Sequence, residues 1–114
     1  MTLDGLAQAL RSVSDEKLLA ELAQYIGAWK ADDRDVIELE TMVERFFGNT
    51  WLPSEEHHSK AYNVWKAFRE DAIRNIGGMT MNERLYLFGL LERFDASNSD
   101  NERRVVYGKV LAKP

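Results

Sequence analysis

The chain has 114 residues, no cysteine and a net charge of −4. A single domain of this size can bury roughly two thirds of its unfolded surface without covalent staples, and the lack of cysteine excludes disulfides, thiolate zinc sites and a thiol nucleophile. Residues 1–56 hold 12 acidic and 5 basic side chains while residues 57–114 hold 7 and 10, an asymmetry that opposes binding to phosphate backbones and suits a basic protein partner.

Apolar residues recur at helical spacing along the whole chain, with no strict alternation long enough for a half-buried strand. The expectation is an all-α protein: one compact bundle of five to six helices over residues 1–114. A first helix follows Thr2, with Leu3, Leu6, Ala7, Leu10 and Val13 inward, and Ser12 or Ser14 is the predicted cap of a second, whose inner face holds Leu18, Leu19, Leu22, Tyr25, Ile26 and Trp29. Asp32 and Asp33 then signal another start. The third helix places Val36, Leu39, Val43 and Phe46 on one side and is predicted to stop at Gly48.

Asn49 to Ser54 reads as a loop, because Pro53 biases Leu52 towards extended backbone and Pro53 or Ser54 can open the next helix. That fourth helix is predicted to be the longest, with His58, Ala61, Tyr62, Trp65, Phe68, Ala72, Ile73 and Ile76 forming its stripe. Gly77-Gly78 is predicted to end it through positive φ. Thr80 and Glu83 form a capping box for a fifth helix whose apolar residues, Leu85 to Phe94, cover more than one face. Such excess apolar surface implies either a central core helix or an interface, the second being the alternative of a structural or regulatory homo-oligomer. Ser99 and Glu102 open a last helix carrying Val105, Val106, Tyr107, Val110 and Leu111, with Arg103, Arg104, Lys109 and Lys113 as a modest basic patch.

Side-chain chemistry is sparse. His57-His58 beside Glu55 and Glu56 lacks the i, i+4 spacing of a metal-binding helix. Asp95 to Asp100 has oxygen side chains at alternating positions, but Asp100 and Val106 stand where a calcium loop needs glycine and glutamate. No phosphate loop, nucleophile elbow or dinucleotide fingerprint occurs, so no catalytic residue, cofactor or metal is assigned. Two features remain as candidate partner contacts. The first is the acid-rich segment Asp32, Asp33, Asp35, Glu38, Glu40 and Glu44, fit to dock a basic protein through its first five acids or simply to favour a helix start and a solvated face. The second is Trp51, a large apolar residue in a loop, which either folds back as core cover or anchors a partner.

No apolar run approaches the ~18 residues of a membrane span, and Asp4 stands where a secretory leader carries bases. The expectation is a cytoplasmic protein with neither membrane nor nucleic acid as partner.

The segment Gly77, Gly78, Met79, Thr80, Asn82, Glu83, Arg84, Leu85, Phe88, Gly89 and Leu90 resembles a group of small bacterial proteins sharing the pattern Gly-Gly-Met-Thr-x-Asn-Glu-Arg-Leu-x-x-Phe-Gly-Leu. A weaker likeness extends back through Trp65, Phe68, Arg69 and Ala72. Functionally unassigned, proteins of this group look like the immunity proteins that accompany bacterial toxins. The resemblance implies a toxin-binding protein and carries over no site residues. It agrees with the charge pattern, since an inhibitor of a basic toxin gains association rate by presenting acids.

Overall fold

A computed structural model describes all 114 residues. It contains seven α-helices and no strand: α1 (Leu3–Val13), α2 (Lys17–Trp29), α3 (Val36–Asn49), α4 (Glu55–Phe68), α5 (Met81–Leu87), α6 (Leu91–Asp95) and α7 (Asp100–Lys109). The all-α expectation holds, with seven helices in place of five to six because the predicted fifth helix is broken into α5 and α6. One continuous apolar cluster runs from Leu3 and Leu6 to Val106 and Val110. The body around it measures 46 × 25 × 21 Å.

Caps set most of the starts. Thr2 accepts from the Gly5 amide at 3.1 Å, Ser54 from His57 at 3.2 Å and Ser99 from Glu102 at 3.2 Å. Asp35 with Glu38, and Thr80 with Glu83, form reciprocal capping boxes that satisfy amides lacking an intrahelical acceptor. Helix α2 departs from expectation, since Glu16 occupies the cap position without a side-chain bond. Ser14 instead accepts from the Glu16 amide within the α1–α2 turn, and Ser12 donates back to Gln8. Helix α1 packs along both α2 and α4, burying Leu3, Leu6, Ala7 and Leu10 on one face.

The predicted long fourth helix ends at Phe68 and passes into a π-helical turn at Arg69–Ile73, then a 3-10 turn at Ile76–Gly78. Its stop does not use positive φ at Gly77 or Gly78, as Gly89 is the one glycine in that region of backbone space. Asn75 does the work instead, donating its side-chain amide to the free carbonyls of Glu70 and Asp71. The wider π turn still keeps Ala72 and Ile73 buried. In α3 the helix runs one residue past Gly48, and Phe47 is buried where Phe46 was expected. Tyr25, expected inward on α2, is 54% exposed.

Gly89 explains the fate of the apolar run at 85–94. With φ of +70° it breaks the helix, and the Leu90 amide turns back to the Leu85 carbonyl at 2.9 Å, the closure expected where a left-handed residue ends a helix. The bend lets Leu85, Phe88 and Leu90 all face the core, which a straight helix could not do. Phe88 then bridges two tryptophan-bearing layers, with ring centroids 6.0 Å from Trp29 and 5.7 Å from Phe68.

Helix α7 is fastened by polar bolts. The Lys109 side chain is fully buried, its ammonium 4.0 Å from the Trp29 ring centroid, and it donates to the carbonyls of Trp29, Asp32 and Arg34 and to the Asp32 carboxylate. Lys109 therefore leaves the basic patch to which its sequence position assigned it. Arg84 holds the same C-terminal end of α7, donating to the carbonyls of Val110 and Leu111 at 3.0 and 3.1 Å and to that of Met79 at 3.2 Å. Leu111 itself adopts φ of 57°. Asn82, its neighbour in the resembling segment, is exposed.

A methyl group at Gly89 would lie 2.8 Å from Lys30 Cδ and would sit on left-handed backbone, worth about 1–2 kcal/mol of strain. Gly89→Ala is expected to lower stability by about that amount, and to displace Lys30 from its 2.7 Å pair with Asp4. Urea unfolding of G89A and of K30A as control tests this; a G89A midpoint equal to wild type would contradict the account.

Candidate interaction site

The five predicted acids lie at the start of α3, and most of them are already engaged. Asp32 accepts from Lys109 at 2.9 Å and from the backbone and guanidinium of Arg34 at 2.9 and 2.7 Å. Its carbonyl also receives Arg93 at 2.6 Å, alongside the Lys30 carbonyl at 2.9 Å. Asp35 and Glu38 are consumed by their capping box, although Glu38 stays exposed. Glu40 lies 2.9 Å from Arg74 with its side chain 17% exposed, joining α3 to the π turn. The pair is close but poorly aligned, for Glu40 Oε2 has no hydrogen bond of good geometry. Asp33 reaches Arg93 only at 3.4 Å, with 83% of its side chain in solvent. Of the acid segment, Asp33 and Glu38 are thus the side chains facing water.

Two opposed forces act on the Asp32–Lys109 pair. Burial pushes the Asp32 carboxyl up, but hydrogen bonds from Lys109 and Arg34 outweigh it and hold the group below its ordinary range. For Lys109 burial wins, drawing the ammonium below its ordinary range against the pull of Asp32.

Trp51 lies beyond the far end of α3, roughly 20 Å from the acids at 1.5 Å per helical residue. Core cover is not its role, since it is 73% exposed. Nor is it loose. Its indole stacks on His58 with centroids 4.5 Å apart and planes 21° from parallel, and the next residue, Leu52, is buried and donates its amide to His58 Nδ1 at 3.4 Å. His58, at 9% exposure, is wedged edge-on against Phe47 at 5.7 Å. The adjacent imidazole turns away: His57 meets Glu16 at 3.2 Å across the α1–α2 corner.

Between α3 and α4, beside this loop, opens a cleft of about 490 Å³ lined by Glu44, Phe47, Trp51, His58, Tyr62 and Asn63 together with Gly48 and Ser59. Glu44 forms its polar wall. One carboxylate oxygen accepts from Trp65 Nε1 at 2.9 Å and makes a short ion pair with Arg69, and Tyr62 donates to the other at 3.3 Å. Bonds to Tyr62, Glu70 and Glu44 raise the Arg69 guanidinium above its ordinary range despite burial. The sequence offers Glu44 only as the last acid of the segment at 32–44, not as the wall of a cleft. Its signal was faint: Glu44, Phe47, Trp65 and Arg69 lie on two helices whose pairing no local pattern reveals.

No three His, Asp or Glu side chains converge as a metal site would require, and no helix is long and apolar enough to cross a membrane. No protein-family model, curated protein or solved structure matches the chain.

In the unfolded chain the Asp32 carboxyl takes up its proton near its ordinary value of 3.8, and in the fold only at lower pH. Between the two the unfolded state binds more protons, so stability rises with pH there. The contribution of Asp32 is complete above the ordinary value and is lost as pH falls through the folded one. Asp32→Asn is expected to flatten the dependence of the urea midpoint on pH between about pH 5 and 2; parallel wild-type and variant profiles would contradict the pairing.

His58→Ala removes both the stacking platform of Trp51 and the acceptor of the Leu52 amide. The loop is expected to loosen, shown by increased acrylamide quenching of tryptophan emission. A stability loss of about 1–3 kcal/mol accompanies the buried amide left unpaired. Unchanged quenching would mean that the stacking does not restrain Trp51.

Proposed function

We propose that this protein is a small, non-catalytic protein-binding module of the immunity type, which docks on a basic toxin domain in the cytoplasm and occludes it. The observation that carries the reading is Trp51: an indole mostly in solvent yet held by His58 and by the buried Leu52. A large aromatic side chain fixed before binding loses little rotamer freedom on contact, which is the character of an interface anchor.

The acids support a basic partner in a graded way. Asp33 and Glu38 present exposed carboxylates, Glu38 with one oxygen engaged by the Asp35 amide, whereas Asp32 and Asp35 are engaged in hydrogen bonds within the fold and Glu40 in its ion pair with Arg74, so that these three contribute only to the field of that end. Contact with both ends of α3 is within reach of an ordinary interface, since about 800 Å² per partner is a patch roughly 30 Å across. The resemblance of residues 77–90 to immunity-type proteins points the same way. A homo-oligomer built on residues 85–94 has less to work with, because burial of Leu85, Phe88 and Leu90 leaves Tyr86 and Leu91 as the exposed apolar side chains.

Co-expression with the product of the adjacent gene, followed by size exclusion at about 50 mM salt, tests the reading. The two chains are expected to co-elute, to separate more readily as salt rises, and to lose about tenfold or more in affinity with Trp51→Ala. A chain that elutes alone and monomeric at low salt would overturn the proposal.

A further inference from the structure

The cleft beside Trp51 has a chemistry more specific than an apolar anchor requires. Four of its walls are aromatic, from Phe47, Trp51, His58 and Tyr62, and no lysine or arginine lines it. Ring faces of Trp, Tyr and Phe carry partial negative charge and attract cations. The remaining wall is a carboxylate with capacity to spare. Glu44 Oε1 takes Arg69 and Trp65, while Oε2 receives only Tyr62, at 3.3 Å, and a carboxylate oxygen can accept two hydrogen bonds.

Resting on the protein-binding reading above, we propose that this cleft receives an arginine side chain from the partner. The guanidinium stacks on the Trp51 indole and donates to Glu44 Oε2. Arginine fits better than lysine because its planar, weakly hydrated group can stack on a ring and hydrogen-bond at its edge together, while an ammonium is a strongly hydrated point charge. The volume, about 490 Å³, is within the range of sites that enclose small ligands.

Arg69 gives the proposal a second consequence. It sits behind Glu44 with its side chain 14% exposed, outside the lining, and cancels most of the long-range field of that carboxylate. Recognition in the cleft is therefore by contact, with weak dependence on salt, whereas attraction of a basic partner to Asp33 and Glu38 is screened over about 10 Å at 0.1 M salt.

Titration of the labelled protein with N-acetyl-arginine-amide, followed by ¹H–¹⁵N NMR on the Trp51 indole and the Asn63 side-chain amide, tests the inference. N-acetyl-citrulline-amide, its uncharged isostere, is the comparison. Saturable shifts are expected for the arginine probe, at least about fivefold weaker for citrulline, little changed from 50 to 300 mM salt, and lost at Asn63 in Trp51→Ala. The mutational arm uses Trp51 because it is exposed, whereas Glu44→Gln would disturb Arg69 and Trp65. Shifts that do not saturate, that match for citrulline, or that persist in W51A would overturn the arginine site. A co-eluting partner weakened by W51A, with no response to the probe, would sink the arginine cleft and leave the module reading standing. A chain without a partner that nevertheless binds the probe would do the reverse.

Discussion

The buried ammonium of Lys109 is the contact on which the arrangement of helices depends. The corner between α2 and α3 turns three carbonyls, from Trp29, Asp32 and Arg34, towards one point. Helix carbonyls at a C-terminus lack intrahelical donors and cannot be left buried and unpaired. Lys109, reaching across from the last helix, supplies the donors, and Asp32 supplies the counter-charge. Removing a charge from water costs several kcal/mol, and here geometry recovers it through four oxygen acceptors that share the three N–H donors, and through the Trp29 ring. An apolar residue in that place would leave the Arg34 carbonyl without its donor and take the α7 counter-charge from Asp32, so the contact specifies which corner α7 docks on as well as how firmly.

Arg93 and Arg84 extend the same solution. Arg93 donates to the carbonyls of Lys30 and Asp32, and Arg84 to those at the end of α7. Three cations from the basic second half thus close the chain ends of helices, two of them at a corner that also holds Asp32 and Asp33. The charge asymmetry between the halves is to this extent internal. It is partly spent on holding α2, α3, α6 and α7 together, and only the remainder is presented to a partner.

At the opposite end of α3, Glu44 plays the corresponding part with the charges reversed. It gathers Tyr62, Trp65 and Arg69, and the π turn at Arg69–Ile73 follows at once. A firm floor results, above which Trp51 and His58 form an exposed yet ordered edge. Rigidity of this kind favours binding over flexibility, because a preformed contact loses less entropy when a partner arrives.

Local chemistry made a large part of the fold legible in the sequence. The capping box at Thr80/Glu83, the cap at Ser99, most of the stripes of α1 and α2, and the all-helical class depend on residues three or four apart, and such neighbours interact whatever surrounds them, whereas the cap of α3 is Asp35 and not the expected Asp32 or Asp33. Trp51 could be singled out because a large apolar residue beside proline has few ordinary uses. What the sequence could not settle was long-range. Gly89 and not Gly77-Gly78 takes positive φ, because only the tertiary packing of Leu85, Phe88 and Leu90 decides where a bend is needed. Lys109 is buried although lysine patterns with the surface, and Asp32 and Glu40 are drawn inward, because Lys109 and Arg74, their partners across the fold, lie 77 and 34 residues away. The exposure of Trp51 and the Glu44 cleft beneath it likewise arise from the meeting of α3 and α4. Helical periodicity encodes which face of each helix is apolar; which faces and which charges meet is fixed only when the whole core closes.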